Sequence, residues 1–186
     1  IAAVLLPLLF FTAREKMLLR QANQDELTQL PNRRYFLQES VAYLTRRGDN
    51  TTATVMMLDL DHFKAINDNY GHNTGDIALR QVAQILTQEL RKTDFIGRLG
   101  GEEFAIVLPA TSEAEARLIS QRLRQQIELQ ARIVDGKALG LTISIGAVYS
   151  SRFSADQFER MLKQADDALY ESKRNGRNTV TFSCLC

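Results

Sequence analysis

Arg98-Leu99-Gly100-Gly101-Glu102-Glu103-Phe104 lies between two short apolar runs, Phe95-Ile96 before it and Phe104-Ala105-Ile106-Val107-Leu108 after it. Two strand-like runs joined through a Gly-Gly pair have the composition of a tight β-hairpin. Glycine tolerates positive φ and has no side chain to hold a bulky ligand off the backbone. Glu102 and Glu103 stand at the rim of that opening, so the turn suits a phosphate and the metal that accompanies it. The alternative is a plain hairpin whose two glutamates are solvated surface charges.

Working outward, Thr54-Val55-Met56-Met57-Leu58-Asp59-Leu60-Asp61 is a continuous apolar run ending in acid. It reads as a central strand buried on both faces, with Asp59 and Asp61 projecting to the same side. An aspartate at the end of a buried strand needs a cation or hydrogen-bond donors nearby. Upstream, Asp25 to Arg34 mixes cap and turn residues, and Tyr35 to Thr45 reads as a helix followed by a polar loop over Gly48–Thr52. Downstream, His62 to Gly75 is a polar loop or broken helix, and Leu79, Val82, Ala83, Leu86 and Leu90 mark one face of a helix from Asp76. Ser112-Glu113-Ala114-Glu115 and Ser154-Ala155-Asp156-Gln157 have capping-box spacing before two further amphipathic helices. Leu139–Val148 reads as a strand, and Val180 with Phe182 as a last short one. This order of elements predicts an α/β sandwich, a central mixed β-sheet flanked by helices.

The chain has 186 residues, 45% hydrophobic and 24% charged, which is enough for one full-sized core. A net charge of +1 gives no basis for non-specific nucleic-acid binding. Cys184 and Cys186 are too few for a disulfide framework or zinc site and fit a reducing cytoplasm. Residues 1–13 carry no charge, and Arg14, Lys16 and Arg20 follow them. This pattern reads as the end of a truncated transmembrane helix with its basic flank on the cytoplasmic side. A signal-peptide remnant or an apolar helix packed on the domain is the alternative. Residues 14–24 suit a connecting helix able to pair with a copy of itself, 25–182 the domain, and 183–186 a C-terminal tail.

If the Asp59 strand lies beside the hairpin, Asp59, Glu102 and Glu103 meet at one end of the sheet, where like charges repel unless a divalent cation intervenes. Oxygen-only ligands favour Mg²⁺ or Mn²⁺. Mg²⁺ usually shares its shell with substrate phosphates, which makes a nucleoside triphosphate the natural partner. Asn67 and Asp76 offer donors and acceptors suited to a purine edge. Lys173 and Arg177, one helical turn apart, can meet phosphates or simply complement the helix dipole ahead of a Gly176 cap.

Together these motifs resemble the GGDEF family of diguanylate cyclases, here as Gly100-Gly101-Glu102-Glu103-Phe104. The likeness also takes in Asp25-Glu26-Leu27-Thr28, Asn32-Arg33-Arg34, Asp59-Leu60-Asp61-His62-Phe63-Lys64, Asn67-Asp68, Gly71-His72, Gly75-Asp76, Ser144-Ile145-Gly146 and Ala168-Leu169-Tyr170 with Gly176-Arg177-Asn178. It implies a nucleotidyl-cyclase, polymerase-palm-like domain. By the same resemblance, Asp59, the Leu60 carbonyl and Glu103 bind metal, two Mg²⁺ or Mn²⁺ per site. Glu102 is a further ligand or activates the 3′-hydroxyl. Asn67 and Asp76 recognise guanine, Gly100 and Gly101 admit the nucleotide, and Lys64, Lys173 and Arg177 contact the triphosphate. Two GTP held by a homodimer condense into cyclic di-GMP with loss of two pyrophosphates. Arg91-Lys92-Thr93-Asp94 matches the family's RxxD inhibitory site, with Arg122 as a neighbouring contact; an ordinary exposed ion pair is the alternative there. The implied setting is the cytoplasmic side of a bacterial inner membrane. Two other readings stay open, a catalytically silent nucleotide-binding domain and a plain dimerisation module.

Overall fold

The computed structural model describes residues 22–47 and 51–185. The expected membrane segment, residues 1–13, and most of the connecting helix lie outside them. No helix among the described residues is long and apolar enough to cross a membrane.

Helix α1 (Arg33–Arg47) begins where Asn32 Oδ1 accepts the Tyr35 N–H at 3.0 Å, a side-chain cap immediately after Pro31. Strand β1 (Ala53–Leu60) is buried at every position, as its unbroken apolar run predicts. Helices α2 (Phe63–Tyr70) and α3 (His72–Glu89) follow. The region expected as a loop or broken helix is thus two helices hinged at Gly71, whose φ of 84° suits a residue without a side chain. Asp76 lies inside α3, one turn later than expected, because the helix restarts directly after that glycine.

Strands β2 (Phe95–Gly100) and β3 (Glu103–Pro109) form the hairpin, and helix α4 (Glu113–Gln130) opens with the full reciprocal Ser112–Glu115 capping box. A small hairpin, β4 (Ile133–Val134) and β5 (Lys137–Ala138), was not anticipated. It turns at Asp135-Gly136, and β6 therefore starts only at Ile143 and runs to Ser150. Helix α5 (Phe158–Arg174) is entered through a 3₁₀ turn, and only half of the second expected capping box forms, Ser154 N–H to Gln157 Oε1 at 3.2 Å. Strand β7 (Val180–Leu185) runs three residues past the expected domain end at 182, so Ser183–Leu185 belong to the sheet rather than to a tail.

The five-stranded sheet has the order β2-β3-β1-β6-β7, antiparallel throughout except for the parallel β6–β7 pair. Period 2 along β1 splits the core: Met56, Leu58 and Leu60 face α3 and α4, while Val55 and Met57 face α1 and α5. Gly146 lets α5 lie directly on β6, since a Cβ there would collide with backbone atoms of Ala165 and Leu169. That close approach sets where the end of α5 meets the end of β1.

Candidate active site

Asp59 is the last outward acid of β1 on the α5 face, 7% exposed. Its Cα partner across the ladder is Glu103, the first residue of β3, and the Leu60 N–H approaches the Glu102 carbonyl at 3.4 Å. Residues directly opposite on neighbouring strands share a face. Asp59 and Glu103 are thereby brought together by register, and Glu102 by the turn. Burial pushes the Asp59 carboxyl above the ordinary aspartate range, and the charges on Glu102 and Glu103 push it the same way. Lys173, from the last turn of α5, opposes them with Nζ 2.8 Å from Asp59 Oδ2.

The turn itself is held by Arg98. Its Nε and Nη2 donate to the Gly101 carbonyl at 3.0 and 2.7 Å, and Nη1 donates to Asp25 Oδ1 at 2.8 Å. Gly100 and Gly101 have φ of 148° and 51°, with open space where a Cβ would stand. Their requirement is therefore backbone conformation and clearance above the turn. Beneath it, Glu103 borders a cleft of about 350 Å³ between α1 and α5, lined also by Arg33, Leu99, Lys163 and Asp166.

Asn67 and Asp76 are half-buried on α2 and α3. The α2–α3 bend sets the Asn67 amide against Gly75, the residue before Asp76, where a Cβ would strike Oδ1. Lys64 is exposed on α2, and Arg177 on the turn after α5 at φ 65°.

Among the described residues no three His, Cys, Asp or Glu side chains converge closely enough to cage a metal. The donor set nevertheless fits Mg²⁺ or Mn²⁺. All its members are oxygens, Asp59 is a buried carboxylate whose ionised form is disfavoured first by burial and then by Glu102 and Glu103, and Mg²⁺ is ordinarily bound by one or two carboxylates with substrate phosphates completing the shell.

This arrangement coincides with a family model described as "Diguanylate cyclase, GGDEF domain", which matches residues 22–179. The chain belongs to the GGDEF family. It is 41% identical over 170 residues to diguanylate cyclase A of Treponema denticola, covering 89% of this chain and 46% of that protein. It is 38% identical over 170 residues to diguanylate cyclase DosC of Escherichia coli K12, covering 89% of this chain and 36% of that protein. The chain thus spans less than half the length of these relatives. Among solved structures, the coiled coil and GGDEF domain of DgcB from Caulobacter crescentus, in complex with c-di-GMP, superposes with a TM-score of 0.81 at 29% identity. That match covers 97% of this chain and 96% of the other.

Outside the GGDEF turn, Arg91, Asp94 and Arg122 gather where α3 ends and α4 passes. The Arg91 N–H donates to Asp94 Oδ2 at 2.9 Å, Arg91 pairs loosely with Glu115 at 3.7 Å, and Arg122 Nε lies 2.9 Å from Glu89 Oε2. Burial holds the Asp94 carboxyl above its usual range against the pull of Arg91 and Arg122. The sequence reading gave no role to Arg98 or Asp25, although both stand in motifs it quoted. Nothing in the chain's pattern pairs residue 25 with residue 98.

Proposed function

We propose that this GGDEF domain is a diguanylate cyclase, joining two GTP into cyclic di-GMP with release of two pyrophosphates. The observation that carries the reading is the register that sets Asp59 opposite Glu103 at the glycine turn, with Glu102 adjacent and Lys173 drawn onto Asp59. Family membership and relatives named as diguanylate cyclases support it.

Asn67 and Asp76 read the guanine edge. Lys173 and Arg177 meet the triphosphate, with Lys173 exchanging its Asp59 contact for phosphate oxygens, and Lys64 adds positive charge from α2. Asp59, the Leu60 carbonyl and Glu103 hold Mg²⁺ or Mn²⁺, two ions per site, which when bound neutralise phosphate charge as Lewis acids. Glu102 stands at the rim to accept the proton of the incoming 3′-hydroxyl or to complete the metal's shell. The glycine backbone leaves space for that hydroxyl to approach the α-phosphorus in line, and alignment supplies most of the rate. One domain holds one GTP, so two domains face each other in a homodimer. The Arg91–Asp94 site with Arg122 takes the product and restrains turnover.

The full chain, dimerised by a fused coiled coil, is incubated with GTP and Mg²⁺. Cyclic di-GMP and pyrophosphate in a 1:2 ratio are expected. Absence of cyclic di-GMP from a chain that binds GTP would replace this reading with a silent nucleotide-binding domain.

A further inference from the structure

Asp61 is a carboxylate that the proposed chemistry does not use. It is 4% exposed, follows β1 directly, and three donors converge on it. Thr142 Oγ1 donates to Oδ2 at 2.7 Å, Ser144 Oγ to Oδ1 at 2.6 Å, and the Asn178 backbone N–H to Oδ2 at 3.0 Å. Two of these come from the neighbouring β6 segment. The third reaches in from the turn beyond α5.

That turn is unusual. Arg177 and Asn178 both adopt left-handed φ, 65° and 44°, directly after Gly176 at 104°. Non-glycine residues in that region are strained and persist only where their surroundings hold them. Asn178 is held twice. Its amide N–H is fixed by Asp61, and its side chain is fixed by α4, with Nδ2 donating to Glu128 Oε1 at 2.9 Å and Oδ1 accepting from Arg124 Nη1 at 2.9 Å.

The geometry points to Asp61 as a positioning residue for the triphosphate: by gripping the Asn178 amide it fixes the turn that presents Arg177 relative to the strand end that carries Asp59. The inference rests on reading Arg177 as a phosphate contact. Both cations are then referenced to the same three-residue stretch at the end of β1, Lys173 through Asp59 and Arg177 through Asp61. A carboxylate suits this post because all its partners donate, and an ionised acceptor strengthens each bond. In Asp61→Asn the amide must turn an N–H₂ toward one donor. Ser144 can rotate its hydroxyl to accept, which leaves the amide oxygen on the Asn178 N–H, so only Asp61→Ala removes that acceptor outright.

The test measures binding of the α,β-methylene analogue of GTP with Mg²⁺ to the full chain. Asp61→Ala is expected to weaken the analogue about tenfold, and to weaken it less than about twofold further when Arg177→Ala is already present, the signature of residues acting as a unit. GMP, which lacks the outer phosphates, is expected to bind both forms alike. Ser144→Ala, which removes a donor without touching the Asn178 bond, is expected to lower the melting temperature and leave analogue affinity unchanged. Equal weakening in both backgrounds, or equal loss for GMP, assigns Asp61 a purely structural role and overturns the inference. If the native chain binds GMP but gains nothing from the outer phosphates, Arg177 is not a phosphate contact and the inference falls with that assignment. Failure of the native chain to bind guanine nucleotide at all overturns the proposed function as well. Independently of any variant, the Asn178 amide is expected to exchange slowly with deuterium, and fast exchange there would also overturn it.

Discussion

Arg98 Nη1 lies 2.8 Å from Asp25 Oδ1 while the same guanidinium grips the Gly101 carbonyl, so one side chain ties the segment before α1 to the glycine turn. Burial alone would raise the Asp25 carboxyl, but hydrogen bonds from Thr28 and Arg98 outweigh it and hold the group below the usual aspartate range. A carboxylate with a lowered folded value stabilises the fold above its unfolded value, and that contribution disappears as pH falls through the folded one. Arg98→Ala is expected to cost about 2 kcal/mol, as loss of a charged hydrogen-bond partner does, and to reduce turnover strongly. In urea unfolding, the stability gap between the native chain and Asp25→Asn is expected to narrow as pH drops below about 4. A gap constant from neutral to acid pH would remove the ion pair from the account.

Asp59 behaves in the opposite sense. Its folded value is raised, chiefly by burial and then by Glu102 and Glu103, so its ionised form at neutral pH works against the ligand-free fold. The fold is most stable with respect to this group below the ordinary aspartate value and loses stability as pH rises through the raised one. Asp59→Asn is therefore expected to abolish cyclic di-GMP formation while raising the melting temperature of the ligand-free protein at neutral pH. Mg²⁺ with GTP is expected to stabilise the native chain and not the variant. Retained turnover would remove Asp59 from the metal site.

Gly75 lies where a small change would disturb Asn67, the residue proposed to read guanine. A methyl group at that position meets the Asn67 amide, a side-chain end that can swing away, and the ring of Phe63. Gly75→Ala is expected to raise the KM for GTP about tenfold with little change in melting temperature, because a polar group moved off its partner costs specificity. An unaltered KM would place the guanine contact elsewhere.

Gly146→Ala is the structural counterpart. Here the obstacle is the backbone of α5, which cannot step aside without lifting off β6. A loss of about 3 kcal/mol is expected in denaturant unfolding, with nucleotide affinity falling only as the fold does. Full stability in this variant would contradict the close approach of helix to strand.

At the Arg91–Asp94 site, the Arg91 guanidinium is exposed and reaches Glu115 at a long 3.7 Å, while its backbone N–H holds Asp94. Arg91→Ala is expected to leave the melting temperature unchanged and to shift the half-inhibitory concentration of added cyclic di-GMP upward by about tenfold or more, as for a lost charged hydrogen bond. An identical inhibition curve would return the pair to the status of a surface ion pair.

Much of this was legible along the chain because the signals are local. Eight buried residues in β1, the glycine turn, the Ser112 cap and the α5 face each follow from short-range periodicity or turn chemistry. The Asp135-Gly136 hairpin was missed because its two strands are only two residues long, too short for any period to register. The restart of helix at His72 was missed because Asn, Thr and Gly dominate its first turn and carry no helical signature.

Sequence by itself determined which residues are acidic, which are glycine and where the long strands and helices fall, since backbone preference and hydrophobic period act over a few neighbours. Only the tertiary structure decided that Glu103 stands opposite Asp59, that Lys173 reaches them, and that Arg98 and Asp61 hold the two turns around the site. Those relations span up to 117 residues. They depend on strand register and on the depth at which α5 sits upon β6, quantities fixed by packing that no local pattern encodes.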